Sequence, residues 1–206
     1  MQGSTLRGAT RADVDRIADL LLGDPEQPTV SVALKLFAIE RRDDARLLFD
    51  AIAQATQGWT VTTIVEQERR VVGFLVASEP SLRMTPGLFV AAVKIYGPFF
   101  MRKLMPRFRL LGRVQTEAPN GSFRITELHV DPEYRGQGME VVMLRHVEKA
   151  ARAEARSAMA LQTWTTNPAK SLYEGYGFEV IGTRTDGEFE RITGASGNYL
   201  MVKELR

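Results

Sequence analysis

Apolar side chains recur along the chain with two different periods, and the switches between them divide it into elements. Val14, Ile17, Ala18 and Leu21 fall at helical spacing behind Thr10 and Asp13, a capping pair, with Gly23 suited to the stop. A short strand over 4–8 precedes them, and 24–28 reads as a turn-rich break. From about 30 to 57, Leu34, Phe37, Ala38, Leu47, Leu48 and Ile52 predict one or two helices ending at Gly58. Residues 59–65 and 70–77 are rich in β-branched side chains and flank a short charged turn, which predicts a hairpin.

Residues 79–122 break this rhythm, with five prolines, helix-like pieces between them and a net charge of +5. The segment is too short for a core of its own, so it reads as an inserted lid or acceptor-side element of one domain spanning 1–206. A solvated helical excursion is the bland alternative. A strand over 123–130 follows, then a loop over 131–138. Next comes an amphipathic helix with Met139, Val142, Met143, Val147, Ala150 and Ala151 on one face. A strand over 158–164, a short helix from Asn167-Pro168 to Gly177, and closing strands over 178–184 and 198–203 complete an α/β chain.

Composition narrows the chemistry. The absence of cysteine excludes disulfides, a catalytic thiol and thiolate zinc sites. Two histidines, His129 and His146, leave little for a serine–histidine triad or a multi-histidine metal site, so no metal is expected. A net charge of +2 gives no global field that favours nucleic acid. No apolar run reaches the length of a membrane span, and the N-terminus has no signal-peptide core. The expectation is a cytoplasmic protein without membrane partners.

The chemical signal lies where strand, glycine loop and long helix meet. Backbone N–H groups at a helix start lack helical partners and favour an anion. Gly136 and Gly138 permit positive φ and close approach, and Arg135 can add a charge-assisted bond. A lone Gly-x-Gly is weak evidence. Two rival phosphate sites fail on detail: Val141 stands where a dinucleotide fingerprint needs glycine, and Gly138-Met139-Glu140 is no P-loop ending.

The run Leu128-His129-Val130-Asp131-Pro132-Glu133-Tyr134-Arg135-Gly136-Gln137-Gly138, with its helix, resembles the acyl-CoA motif of the GNAT superfamily of N-acetyltransferases. Glu140 departs from that pattern, standing where a small residue lets the pyrophosphate approach; it either weakens binding or points outward. About thirty residues on, Asn167 to Phe178 resembles the family's second motif, one residue shorter between Asn167 and Ala169. The resemblance covers roughly 123–182. It implies a GNAT-like central sheet, mixed, mostly antiparallel and splayed, flanked by helices, with a helical insertion before the cofactor-binding strand. It implies acetyl-CoA or another acyl-CoA as co-substrate, held by Leu128, His129, Val130, Arg135, Gly136, Gln137, Gly138, Met139, Glu140, Asn167 and Tyr173. It further implies an amine acceptor, small molecule or peptide, acylated by direct attack in a ternary complex; a homodimer is compatible with it. Tyr173 would be the general acid toward the leaving thiolate, with a backbone N–H near 128–130 serving the oxyanion.

Glu127 is the candidate base. Strand alternation puts Glu127 and His129 on one face and Arg124, Thr126 and Leu128 on the other, unless a bulge intervenes. An ion-paired Glu127, a half-buried Tyr173 and a structural His129 are the bland readings, and Tyr176 reads as packing. Two other classes stand beside the enzyme. One is a non-catalytic acyl-CoA-binding regulatory module on the same fold. The other is a binder of anionic polymer or membrane surface built on the basic insert.

Overall fold

The computed structural model describes residues 4–24, 28–77 and 84–205. Part of the 24–28 break and the first residues of the 79–122 insert lie outside them. Strand β1 (Ser4–Gly8) leads through a single turn of helix into α1 (Val14–Gly23). Asp13 sets this entry: its carboxylate accepts from the amide and hydroxyl of Thr10, each at 2.8 Å, and from Arg7. Helices α2 (Pro28–Phe37) and α3 (Arg42–Thr56) follow, so the 30–57 pattern resolves into two.

The hairpin is β2 (Thr62–Gln67) and β3 (Arg70–Ala77), turning at Glu68 and Arg69, both with positive φ as a tight hairpin requires. Its first strand starts later than the sequence suggests. Gly58–Val61 winds as a 3-10 turn, closed by Thr60 N to Gln57 O at 2.9 Å, so Trp59 belongs to a turn and not a strand. The insert forms α4 (Pro86–Tyr96) and α5 (Phe100–Val114), then the chain enters β4 (Ser122–Val130), α6 (Met139–Ala153) and β5 (Ala158–Trp164). It closes with α7 (Lys170–Gly175), β6 (Glu179–Thr185), α8 (Gly187–Thr193) and β7 (Gly197–Glu204). Helix α8 has no counterpart in the apolar pattern; it is capped by Asp186, which accepts from the amides of Glu188 and Phe189.

The seven strands make one sheet in the order β1-β2-β3-β4-β5-β7-β6. Every neighbouring pair is antiparallel except β4 and β5. One face carries α6, whose Met143, Leu144 and Val147 pack with Val72, Leu75, Met159 and Met201, all at 1% exposure or less. Truncating one of these leucine or methionine side chains to alanine costs about 2–5 kcal/mol. The other face carries α1 over Ile64 and Phe74, and α2, α5 and α8 around Phe189 and Trp164. The insert therefore shares its apolar clusters with the rest of the domain: Tyr96 and Phe100 pack with Ile39 and Ala45, and Leu110 and Val114 with Val32 and Leu36.

Candidate active site

The parallel pair β4–β5 does not stay paired. Register runs from Ser122 with Ala158 to Ile125 with Leu161 and stops there, although β4 continues to Val130 and β5 to Trp164. The strands separate into a fork, and the fork begins at an irregularity. Along the β3 side of β4, Val76 pairs with Glu127 and Ala77 with Ile125, which leaves Thr126 as an extra residue. This is a β-bulge, a device that bends a strand and re-aims its side chains.

The bulge reassigns faces. Ile125, Leu128 and Val130 all pack in the cluster under α6, although Ile125 and Leu128 are three positions apart. His129 points to the opposite face, where its ring stacks on Phe74 at 5.6 Å. Glu127 points the same way, lining a cavity with Val14, Ile17 and Phe49. Arg124, which simple alternation puts opposite Glu127, joins it in a common cavity because the extra residue resets the parity.

Glu127 lies at the fork's floor. It lines a cleft of about 30 Å³ with Thr126, Leu128, Asn167 and Tyr173. Removal from water pushes its carboxyl up to about 7. Tyr173 is buried at 6% exposure, its ring edge-on to Phe178. Burial first, then the charges of Glu127 and Glu140, raise its phenol well above the usual tyrosine range. Tyr173 is held by its own backbone: its amide donates to Ala169 O at 3.1 Å, and its carbonyl accepts from Phe178 N at 3.0 Å. Asn167 starts this turn, accepting from the amide of Ala169 at 3.0 Å.

At the open end of the fork lies the glycine loop. Gly136 and Gly138 have φ of 71° and 81°, a region side chains avoid, and a Cβ on Gly136 would meet nothing within 4 Å. Helix α6 opens on Gly138 with no side-chain cap, so the first-turn amides, from Met139 and Glu140 onward, face the loop without one. An open, uncapped helix start fits a diphosphate. Glu140 is half-buried in this turn, and its charge is among those that hold the Tyr173 phenol protonated.

Two residues play parts the sequence does not suggest. The guanidinium of Arg135 pairs with the buried carboxylate of Asp24, at the end of α1, and its Nε donates to Val130 O at 3.1 Å. Its side chain thus ties the loop to α1 and β4, and what the loop offers an anion is backbone. Gln137 is likewise engaged within the loop, Nε2 donating to Glu133 O at 3.1 Å. His129, 1% exposed, is held neutral: burial and then the charge of Arg135 lower it to about 4. Its side chain belongs to the α1 packing, leaving its backbone to the fork.

Beyond the fork, on the face away from α6, is a cavity of about 250 Å³ between β4, β5, β7, α2 and α5. Arg124, Gln115, Gln162, Thr163 and Asn198 supply its polar lining, and Leu111, Ala160, Trp164 and Leu200 its apolar walls. The insert contributes through Leu111, Gln115 and Ala118. Its aromatic and basic stretch lies elsewhere: Phe99 and Phe108 are exposed, and Lys103 donates to Tyr96 O. Thr29, Gln162 and Asn198 are absent from the motifs; the β5–β7 register, with Gln162 opposite Leu200 and Trp164 opposite Asn198, brings the last two together, and α2 brings Thr29.

Residues 108–180 match the family model of the acetyltransferase (GNAT) domain. Among solved structures, a crystal structure of an acetyltransferase is 24% identical over 98% of this chain and 100% of its own, with a TM-score of 0.57. The PaiA N-acetyltransferase from Thermoplasma acidophilum, in complex with coenzyme A, is 13% identical, covering 99% and 100%, at 0.56. N-acetylglutamate synthase from Neisseria gonorrhoeae, complexed with coenzyme A and N-acetyl-glutamate, is 13% identical over 100% of this chain and 36% of its own, at 0.55. No curated protein matches the chain. The fold is the GNAT fold, and the stretch that matches the GNAT acetyltransferase domain model includes β4, the loop and Tyr173. Acyl transfer is the chemistry this match supports.

Proposed function

We propose that the protein is an acyl-CoA-dependent N-acyltransferase that passes an acetyl or other acyl group directly to an amine. One observation carries the reading: a half-buried carboxyl and a buried phenol line one cleft between two strands that part toward an uncapped helix start. Acyl-CoA would supply a thioester, with its diphosphate on the amides of 136–140 and its arm along the β4 edge near 128–130. Asn167 would help hold that arm.

Glu127 accepts the proton that the attacking amine must lose, at an Oε whose affinity is raised by burial into the neutral range. The amine nitrogen bonds to the thioester carbon, the carbon–sulfur bond breaks, and Tyr173 donates its phenolic proton to the departing thiolate. A phenol kept fully protonated at neutral pH suits that role. Tyr173 is buried and Glu127 half-buried there, with Ile125, Leu128 and Leu161 as the apolar part of the cleft lining.

The test is thiol release from acetyl-CoA over a panel of primary amines, alongside calorimetry with CoA. Turnover on at least one amine is expected. CoA binding with no turnover on any amine would instead leave a non-catalytic acyl-CoA module.

A further inference from the structure

Thr126 and Glu127 line three cavities at once. Besides the cleft with Tyr173 and the polar cavity with Arg124, they border a space of about 400 Å³ beneath α1 and α3. That third space is apolar in character, walled by Ile17, Leu21, Phe49, Ile52, Ala53 and Trp59 among others. It lies on the same sheet face as the polar cavity, across β4 from it. Two lobes therefore diverge from one carboxyl, one almost wholly apolar and one of mixed lining that holds Arg124, Gln162 and Asn198.

The polar lobe has a definite hydrogen-bonding sense. Gln162 is fixed by backbone: Nε2 donates to Thr116 O at 2.8 Å, and Oε1 accepts from Thr116 N at 3.4 Å. Asn198 must then donate to Gln162 Oε1, which it does through Nδ2 at 3.0 Å. Asn198 Oδ1 is left buried with no hydrogen-bond partner, in a side chain 6% exposed. A buried acceptor without a donor has lost its water and gained nothing in return, a deficit that a ligand N–H would make good.

We infer, on the proposed acyl-transfer reading, that the acceptor is a primary amine whose carbon bears both a bulky apolar side chain and a carboxamide. Its nitrogen sits at Glu127, the side chain fills the α1–α3 lobe, and the amide N–H meets Asn198 Oδ1. Amino-acid amides and peptide N-termini share this chemistry.

Calorimetry of the wild-type protein with saturating CoA, which carries no acyl group, reads binding without reaction. Phenylalaninamide should bind at least tenfold tighter than glycinamide, phenethylamine or free phenylalanine. A phenylalanine-led tripeptide distinguishes the sources: tighter binding than phenylalaninamide points to a peptide, weaker to the free amide. Ala53→Trp, which fills the apolar lobe, should bring phenylalaninamide down to the affinity of glycinamide; Asn198→Leu should bring it down to that of phenethylamine. Equal affinity across the wild-type panel, or no binding of phenylalaninamide, overturns the inference without any variant. A preference for octanoyl-CoA over acetyl-CoA that Ala53→Trp removes also overturns it, since the apolar lobe would then hold the acyl chain. Phenylalaninamide binding without thiol release on any amine would sink acyl transfer and keep the two-lobed site. Thiol release on other amines with no phenylalaninamide binding would do the reverse.

Discussion

The carboxyl of Glu127 bears on the phenol of Tyr173 across the fork: both line the cleft of about 30 Å³, and the carboxylate charge adds to burial in holding the phenol protonated. Replacing Tyr173 by phenylalanine keeps the ring against Phe178 and removes only the hydroxyl, the group that carries the proton. Turnover is expected to fall about 10²-fold, with CoA affinity within about twofold, because the lost contact matters mainly as the thiolate leaves. Steady-state kinetics paired with CoA titration check this. Unchanged turnover would remove Tyr173 from the chemistry.

Glu127 makes activity and stability respond to pH in opposite directions. Its base form is needed for turnover, so kcat/KM should rise as pH passes through about 7. For stability the native state holds the proton more tightly than the unfolded chain, whose value is the ordinary 4.5. Native protein binds more protons between those values, so this group's contribution is full below about 4.5 and is lost as pH rises through about 7. Glu127→Gln should flatten the activity profile at a level about 10²-fold lower. It should also stabilise the fold above pH 7 by on the order of 2 kcal/mol. Urea unfolding at pH 5 and pH 8 reads the second effect. A variant no more stable than wild type at pH 8 would show Glu127 to be well solvated.

The glycine loop, the strand before it and the helix after it were readable because local chemistry makes them. Gly136 and Gly138 are needed for backbone angles, and the α6 face repeats at helical spacing. What lies across the sheet was not. Alternation along β4 gives the right partner for Glu127 in His129 and the wrong side for Arg124, because a bulge at Thr126 is a property of two strands and leaves no mark in one. Gln162 and Asn198 look like ordinary polar strand residues until β5 and β7 are put in register. Arg135 fits the motif by type, yet its ion pair with Asp24 spans more than a hundred positions, and no spacing rule reaches that far. Helix α8 escaped because Gly187 sits at its start, where a turn is the simpler reading.

The Arg135–Asp24 pair gives a third prediction. Asp24 is 6% exposed, so removing Arg135 takes a cation from a buried carboxylate. Arg135→Ala should cost about 3 kcal/mol, and Arg135→Ala with Asp24→Asn should recover much of it. CoA affinity should drop in both, since the loop loses its anchor to α1 and to Val130 O. A double variant as unstable as the single one would mean that the cost comes from lost packing of the arginine stem.

Away from the cleft, Glu148 on α6 gathers three donors: Lys203 Nζ at 2.9 Å, Tyr176 hydroxyl at 2.9 Å and Arg152 Nη2 at 2.8 Å. Lys203 also sits 4.0 Å over the Tyr176 ring. The cluster pins α6 to β7 and to the end of α7, and so fixes the turn that carries Tyr173. The bond from Lys203, then those from Arg152 and Tyr176, outweigh burial and hold the Glu148 carboxyl down at about 2. Here the unfolded chain binds the proton more tightly, so the contribution is present above about 4.5 and is lost as pH falls toward about 2. The side chain keeps 19% exposure, and solvent screening limits the expected effect to roughly 1–2 kcal/mol. Glu148→Gln should therefore be less stable than wild type by that amount at pH 7 and nearly equal to it at pH 2. Urea unfolding at the two pH values measures the gap. A gap of the same size at both would mean that Glu148 acts by shape and neutral hydrogen bonds, and that its charge does not brace the turn.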